Sequence, residues 1–185
     1  LLGALNKSTS KSGEVDMEEV KNRLVSGIAK FPTIIAYNYR LKEGLEPIEP
    51  REDLSHAGNF LYMLNGEEPS EEQQNAMDTA LILYADHGMN ASTFSACVTA
   101  STLATPHGCL TSAISTLEGD LHGGAAEDVI DHLEDIGSPE NADEWAEKRI
   151  KQEKLISGFG HRVYNVVDPR CAHFKRRAEE LGEDK

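Results

Sequence analysis

Apolar residues return every three or four positions along most of the chain, the spacing at which one face of an α-helix is covered. Asp16 and Glu19 form a capping-box pair, and Met17, Val20, Leu24, Val25 and Ile28 recur after it at helical spacing, which predicts a helix. Pro32 should end or kink that helix, because proline lacks a backbone donor and clashes with the preceding turn. Residues 33–39 can resume it before Gly44, Pro47 and Pro50 bring a loop. Residues 55–64 predict a short helix closed by Asn65-Gly66. A second capping box, Ser70 with Gln73, opens a helix over 70–86 that carries Ala76, Ala80, Leu81, Leu83 and Tyr84 and delivers His87 at its C-terminal end.

Residues 91–104 are rich in Ala, Ser, Thr and Cys, small side chains that let helices approach closely, and a packed core is the first reading there, a subunit interface the second. Pro106 and Gly108 break the pattern, and 110–117 predicts a further helix. A glycine-framed turn follows over 119–127, then a helix over 124–136 stopped by Gly137-Ser138-Pro139. Asn141 and Glu144 should cap the next one, which runs through Trp145 and Ile150 to 154. Asp168 as N-cap and Pro169 at the first helical position start the last. Residues 6–14 are polar and read as a surface loop, and nothing alternates as a set of strands does. The expected class is mainly α.

Composition narrows what such a bundle can be. A formal charge of -14 argues against nucleic acid or an anionic membrane as partner, since both require basic surface. An ordinary well-solvated acidic surface and an adaptation to high salt both fit that charge. The apolar residues 1–5 have no basic flank or cleavage site, and no apolar run approaches membrane-spanning length. Cys97, Cys109 and Cys171 are odd in number, widely spaced and without a C-x-x-C pair, which suits a reducing cytoplasm better than a disulfide framework or a zinc cluster.

Three histidines stand in framed settings. His122 lies in Gly119-Asp120-Leu121-His122-Gly123-Gly124, just ahead of a helix. The positive end of a helix dipole disfavours an imidazolium there, so a neutral ring that donates one N–H to a carbonyl is the chemistry this placement favours; a purely structural turn is the plainer alternative. His161 follows Gly158-Phe159-Gly160 and precedes Arg162, with Arg170 nine residues on. Arginines and helix N-termini both favour anions, so this half suits a dicarboxylate or a phosphate-bearing ligand, unless Arg170 is simply paired with Asp168. His87, at a helix C-terminus, is the opposite case: there the dipole favours a charged ring beside a carboxylate, and the alternative is a histidine bonded to a carbonyl. His56, His107, His132 and His173 lack such framing and read as surface or packing residues. H-E-x-x-H, P-loop, G-x-G-x-x-G and G-x-S-x-G signatures are all missing, which leaves metal-assisted, nucleotide and serine-hydrolase chemistry without a motif.

With these residues in view the chain resembles citrate synthase, in the shorter form typical of bacteria and archaea. The likeness is clearest over 75–177 and looser over 1–30. It implies a multi-helix fold in which 1–122 is part of a large domain and 123–185 a truncated small domain, with a site between them that closes against water. It further implies a homodimer that condenses acetyl-CoA with oxaloacetate and hydrolyses citryl-CoA, with acetyl-CoA and CoA as substrate and product and no prosthetic group. Carried over residue by residue, His122 would hydrogen-bond the thioester carbonyl and stabilise the enolate. His161 would polarise the ketone of oxaloacetate, while His87 and Arg170 would hold its carboxylates. Leu155, Ile156, Ser157, Gly158 and Phe159 match a loop whose backbone lies against CoA. Asn165 stands where many relatives have a lysine, one possible contact to a CoA phosphate. The family's catalytic aspartate and two further arginines would lie beyond Lys185, so this chain is expected to be the middle of a longer protein and inactive alone. The nearest rival is 2-methylcitrate synthase, which uses propionyl-CoA; one methylene is worth only about 1–3 kcal/mol of discrimination. A noncatalytic helical relative that binds CoA or a partner subunit is the rival of a different class.

Overall fold

The structure is a computed structural model that describes residues 16–161 and 164–182. The polar stretch 6–14, the apolar start 1–5 and Arg162 lie outside the described residues. Among those described, the helices in chain order are α1 (Met17–Lys42), α2 (His56–Asn65), α3 (Glu71–Ala85), α4 (Ala91–Ser101), α5 (Pro106–Leu117), α6 (Gly124–Ile136), α7 (Ala142–Lys151) and α8 (Cys171–Gly182), with a 3-10 turn at Pro139–Asn141 before α7. No strand occurs among them, so the mainly α expectation holds. They form two compact units, one of residues 16–88 with 167–182, the other of 89–166.

In the first unit, α1 packs on α2, α2 on α3, and α3 on α8. The Asp16 carboxylate accepts from the N–H groups of Glu18 and Glu19 at 3.0 and 3.1 Å and sets the start of α1. Pro32 does not end α1, which continues through it as one helix of 26 residues. Gly27, Pro32 and Ala36 are its buried positions, and burial against a neighbour offsets the hydrogen bond that proline removes. Met17, Val25 and Ile28 are exposed, so their periodicity marks a helix without marking its packed face. Arg40 fastens the end of α1 by donating from Nε to the Glu46 carbonyl (2.7 Å) and from Nη1 to that of Leu64 (3.1 Å). Gly66, at φ 85°, closes α2 in the left-handed conformation that a side chain disfavours. The capping box of α3 forms as predicted, with Ser70 Oγ on the Gln73 N–H and the Gln73 side chain on the Ser70 N–H.

In the second unit α4 lies against α5, where the Ser95 and Ser112 hydroxyls meet at 2.6 Å. Small residues do allow that approach, but α4 buries no residue fully and Phe94 and Val98 are exposed. The core reading of 91–104 therefore does not hold for Phe94 and Val98. Helix α5 begins at Pro106, four residues earlier than expected, because Thr105 caps it and proline is well suited to a first turn whose N–H has no partner anyway. Helix α6 spans the predicted residues. Asn141 does not cap α7; its amide donates to the Ile136 carbonyl at 3.0 Å, and α7 stops at Lys151. Helix α8 starts at Cys171 rather than Pro169; ahead of it the Asp168 carboxylate accepts from the Arg170 N–H and the Asp168 carbonyl from the Cys171 N–H.

Candidate active-site residues

The turn ahead of α6 is closed by its own backbone. The His122 N–H bonds to the Gly119 carbonyl at 2.8 Å, and the Gly123 N–H to that of Leu117 at 2.9 Å. A Cβ on Gly123 would sit 2.5 Å from the Leu117 carbonyl oxygen, so this glycine is needed by the turn itself rather than by a ligand's approach. The ring of His122 is held from α4: Nε2 lies 2.8 Å from the Ser92 hydroxyl, a contact between residues 30 apart in sequence. A hydroxyl that donates to Nε2 places the ring proton of a neutral imidazole on Nδ1, which becomes the nitrogen able to donate elsewhere. Sequence reasoning missed Ser92; its one cue is its place in the first turn after the N-cap Asn90.

His161 is exposed and also has its tautomer set. The Tyr164 N–H donates to its Nδ1 at 3.0 Å and the Tyr164 ring stacks on it at 4.2 Å, so a neutral ring carries its proton on Nε2. Between the two histidines in sequence, the loop Leu155–Phe159 follows α7. Ser157 is buried and donates to Asp128 on α6 at 3.1 Å, Gly158 takes φ 91°, and Leu155 and Phe159 are exposed. His122, His161 and this loop all belong to the unit of residues 89–166.

His87 and Arg170 belong to the other unit and meet there: Arg170 Nη2 lies 3.2 Å from His87 Nε2. A guanidinium can only donate, so in this contact Nε2 stands on the accepting side. Asp86 is extended, which carries His87 past the last turn of α3. Arg170 also grips Asp168 through Nε (3.1 and 3.2 Å) and Nη2 (2.7 Å), and its guanidinium carbon lies 5.2 Å from the centre of the Tyr84 ring. The pairing with Asp168 and the neighbourhood of His87 are thus both present.

The hydrogen bonds from the Arg170 side chain, then from its N–H, hold the Asp168 carboxyl down at about 2. An unfolded Asp titrates near 3.9. The native state binds this proton less readily, so the stabilisation is complete above the unfolded value and is lost as pH falls through the native one. Unfolding midpoints in guanidinium measured from about pH 5 down to about pH 2 should fall more steeply for the native chain than for Asp168→Asn. Equal slopes would mean that the pairing is not kept in solution.

Among the described residues no three His, Cys, Asp or Glu side chains are grouped so as to hold a metal ion, and no helix is long and apolar enough to cross a membrane. A family model described as citrate synthase, C-terminal domain, matches residues 1–185. The chain is 48% identical over 171 residues to a citrate synthase of Haloferax volcanii, covering 92% of this chain and 44% of that one. It is 44% identical to a 2-methylcitrate synthase of Mycobacterium tuberculosis, covering 84% and 39%. Among solved structures, the ternary complex of citrate synthase from Thermoplasma acidophilum with carboxymethyl coenzyme A and oxaloacetate superposes with a TM-score of 0.85 at 34% identity, covering 95% and 46%. The chain thus spans less than half the length of each of these relatives.

Proposed function

The chain belongs to the citrate synthase family, and from that premise we propose that the protein it forms part of condenses acetyl-CoA with oxaloacetate and hydrolyses citryl-CoA to citrate and CoA. The observation that carries this reading is His122, held at Nε2 by Ser92; with the hydroxyl as donor in that contact, a neutral ring presents Nδ1–H. A thioester methyl is a weak carbon acid. Its ionisation needs a donor fixed in advance where the enolate oxygen develops, and a neutral imidazole serves without first giving up a proton of its own. His161, with Nδ1 occupied by the Tyr164 N–H, offers Nε2–H to the ketone of oxaloacetate.

Arg170 holds a substrate carboxylate with the edge of the guanidinium that Asp168 does not occupy. That edge is Nη1 with the remaining Nη2 proton, so the incoming carboxylate displaces His87 Nε2 from the guanidinium, and the ring donates to the same carboxylate once Nε2 has taken up a proton. Leu155, Ile156, Ser157, Gly158 and Phe159 form the loop against CoA. The proposal extends to a large domain ending at 122 and a small one beginning at 123, to a homodimer, and to the cytoplasm. No residue assigned a role here is the base that takes the methyl proton.

The test is CoA-thiol release by the whole protein, with oxaloacetate and either acetyl-CoA or propionyl-CoA, and with this 185-residue chain run alongside. Faster release with acetyl-CoA, and none from the 185-residue chain, is expected. Faster release with propionyl-CoA would move the assignment to 2-methylcitrate synthase, which the 44% identity to such an enzyme already makes the second reading. No release with either would favour a binding-only relative.

A further inference from the structure

The loop Leu155–Phe159 is tied to the helices before it at two points. One is the Ser157 hydroxyl on Asp128 of α6, at 3.1 Å. The other is Arg149 of α7, whose Nη2 donates to the Leu155 carbonyl where the loop leaves the helix. Arg149 is itself closely set. The same Nη2 lies 2.8 Å from His132 Nε2 on α6, and the guanidinium carbon lies 5.1 Å from the centre of the Trp145 ring. Trp145 in turn lies 5.0 Å from the His132 ring and donates from Nε1 to Asp135 at 2.6 Å. Because a guanidinium only donates, His132 Nε2 must accept, which puts the imidazole proton on Nδ1. That Nδ1 and the Nε of Arg149 are both buried without a partner among the described residues. Two unsatisfied buried donors weigh against stability, and an arrangement kept in spite of them points to what it positions.

We infer that Arg149, clamped by His132 and Trp145, is a positioning residue for coenzyme A binding: it fixes the Leu155 carbonyl and so sets the course of the backbone over 156–159. The inference rests on the reading of that loop as the CoA contact. Arg149 acts only through the loop.

The experiment uses the whole protein and the variants Arg149→Met, which keeps length and loses the donors, His132→Gln, which keeps a neutral acceptor, and His132→Leu, which does not. Arg149→Met should raise KM for acetyl-CoA on the order of tenfold, with kcat and KM for oxaloacetate unchanged. Amide exchange over 156–159 should quicken in parallel. His132→Leu should resemble Arg149→Met, and His132→Gln the wild type. An unchanged KM for acetyl-CoA overturns the inference, as does a parallel rise in both KM values with a lowered melting temperature, which would mark general destabilisation. Wild-type protein that neither turns over nor binds CoA in calorimetry would defeat the functional reading instead, a result distinct from normal wild-type turnover with an indifferent Arg149→Met.

Discussion

In the whole protein, His122→Ala is expected to lower kcat for CoA-thiol release on the order of 10³-fold, the scale on which a single oxyanion donor acts and equivalent to about 4 kcal/mol of transition-state stabilisation. Binding of oxaloacetate should change little, because that role is assigned to His161, His87 and Arg170. The size follows from preorganisation. The turn is closed by backbone bonds from His122 and Gly123, and Ser92 holds the ring from a different helix, so the donor does not have to be collected from solvent at the moment of reaction. Alanine keeps the turn, since the backbone bonds do not involve the side chain, and a loss of fold is not the expected cause of a loss of rate. Single-turnover kinetics beside calorimetric titration with oxaloacetate would check both halves. If kcat stayed within about tenfold of wild type, the ring would not be the donor to the enolate.

Much of the helical frame was legible because it is written locally. Ser70 with Gln73 names the start of α3, and Gly124 and Gly137 bracket α6, through contacts made within a few residues. The misreadings occurred where a distant surface decides the outcome. Pro32 does not break α1 because its face is buried, and the Asp168 carboxylate, expected only to cap α8, is also gripped by the Arg170 side chain. The framed histidines could be found from their glycines, whereas the partners that fix their chemistry could not. Ser92 reaches His122 across 30 residues and Arg170 reaches His87 across 83, and neither separation follows any helical or turn spacing. Arg149 was invisible for the same reason. Its acceptor at Leu155 lies just past a helix end, but the clamp that sets it comes from another helix.

Arg170→Met should raise KM for oxaloacetate on the order of 10²-fold while leaving KM for acetyl-CoA near its wild-type value, as loss of about 2–3 kcal/mol of charge-assisted hydrogen bonding requires. Two mechanisms predict such a loss. In the first, the guanidinium grips the substrate carboxylate directly. In the second, it merely neutralises Asp168, which on losing its partner would stand as a bare negative charge and repel the substrate. They separate in the double variant Arg170→Met with Asp168→Asn. Removing the carboxylate abolishes repulsion, so recovery of most of the affinity would mean that Arg170 serves Asp168 and not the substrate. Persistence of the defect would locate the loss in the missing grip. The geometry favours persistence: Asp168 takes Nε and one Nη2 proton, and Nη1 with the other Nη2 proton forms the edge toward His87, from which a second carboxylate can be bound without displacing the first. The single variant also separates the pH responses. With Arg170 changed to Met, the Asp168 carboxyl loses the largest of the causes that hold it at about 2 but keeps the backbone N–H at position 170, so it should titrate higher than in the wild type. Any repulsion would then fade as pH falls through that raised value, whereas a lost grip would not be restored by acid. A KM for oxaloacetate that returned toward wild type on acidification of Arg170→Met would therefore sink the direct contact even without the double variant.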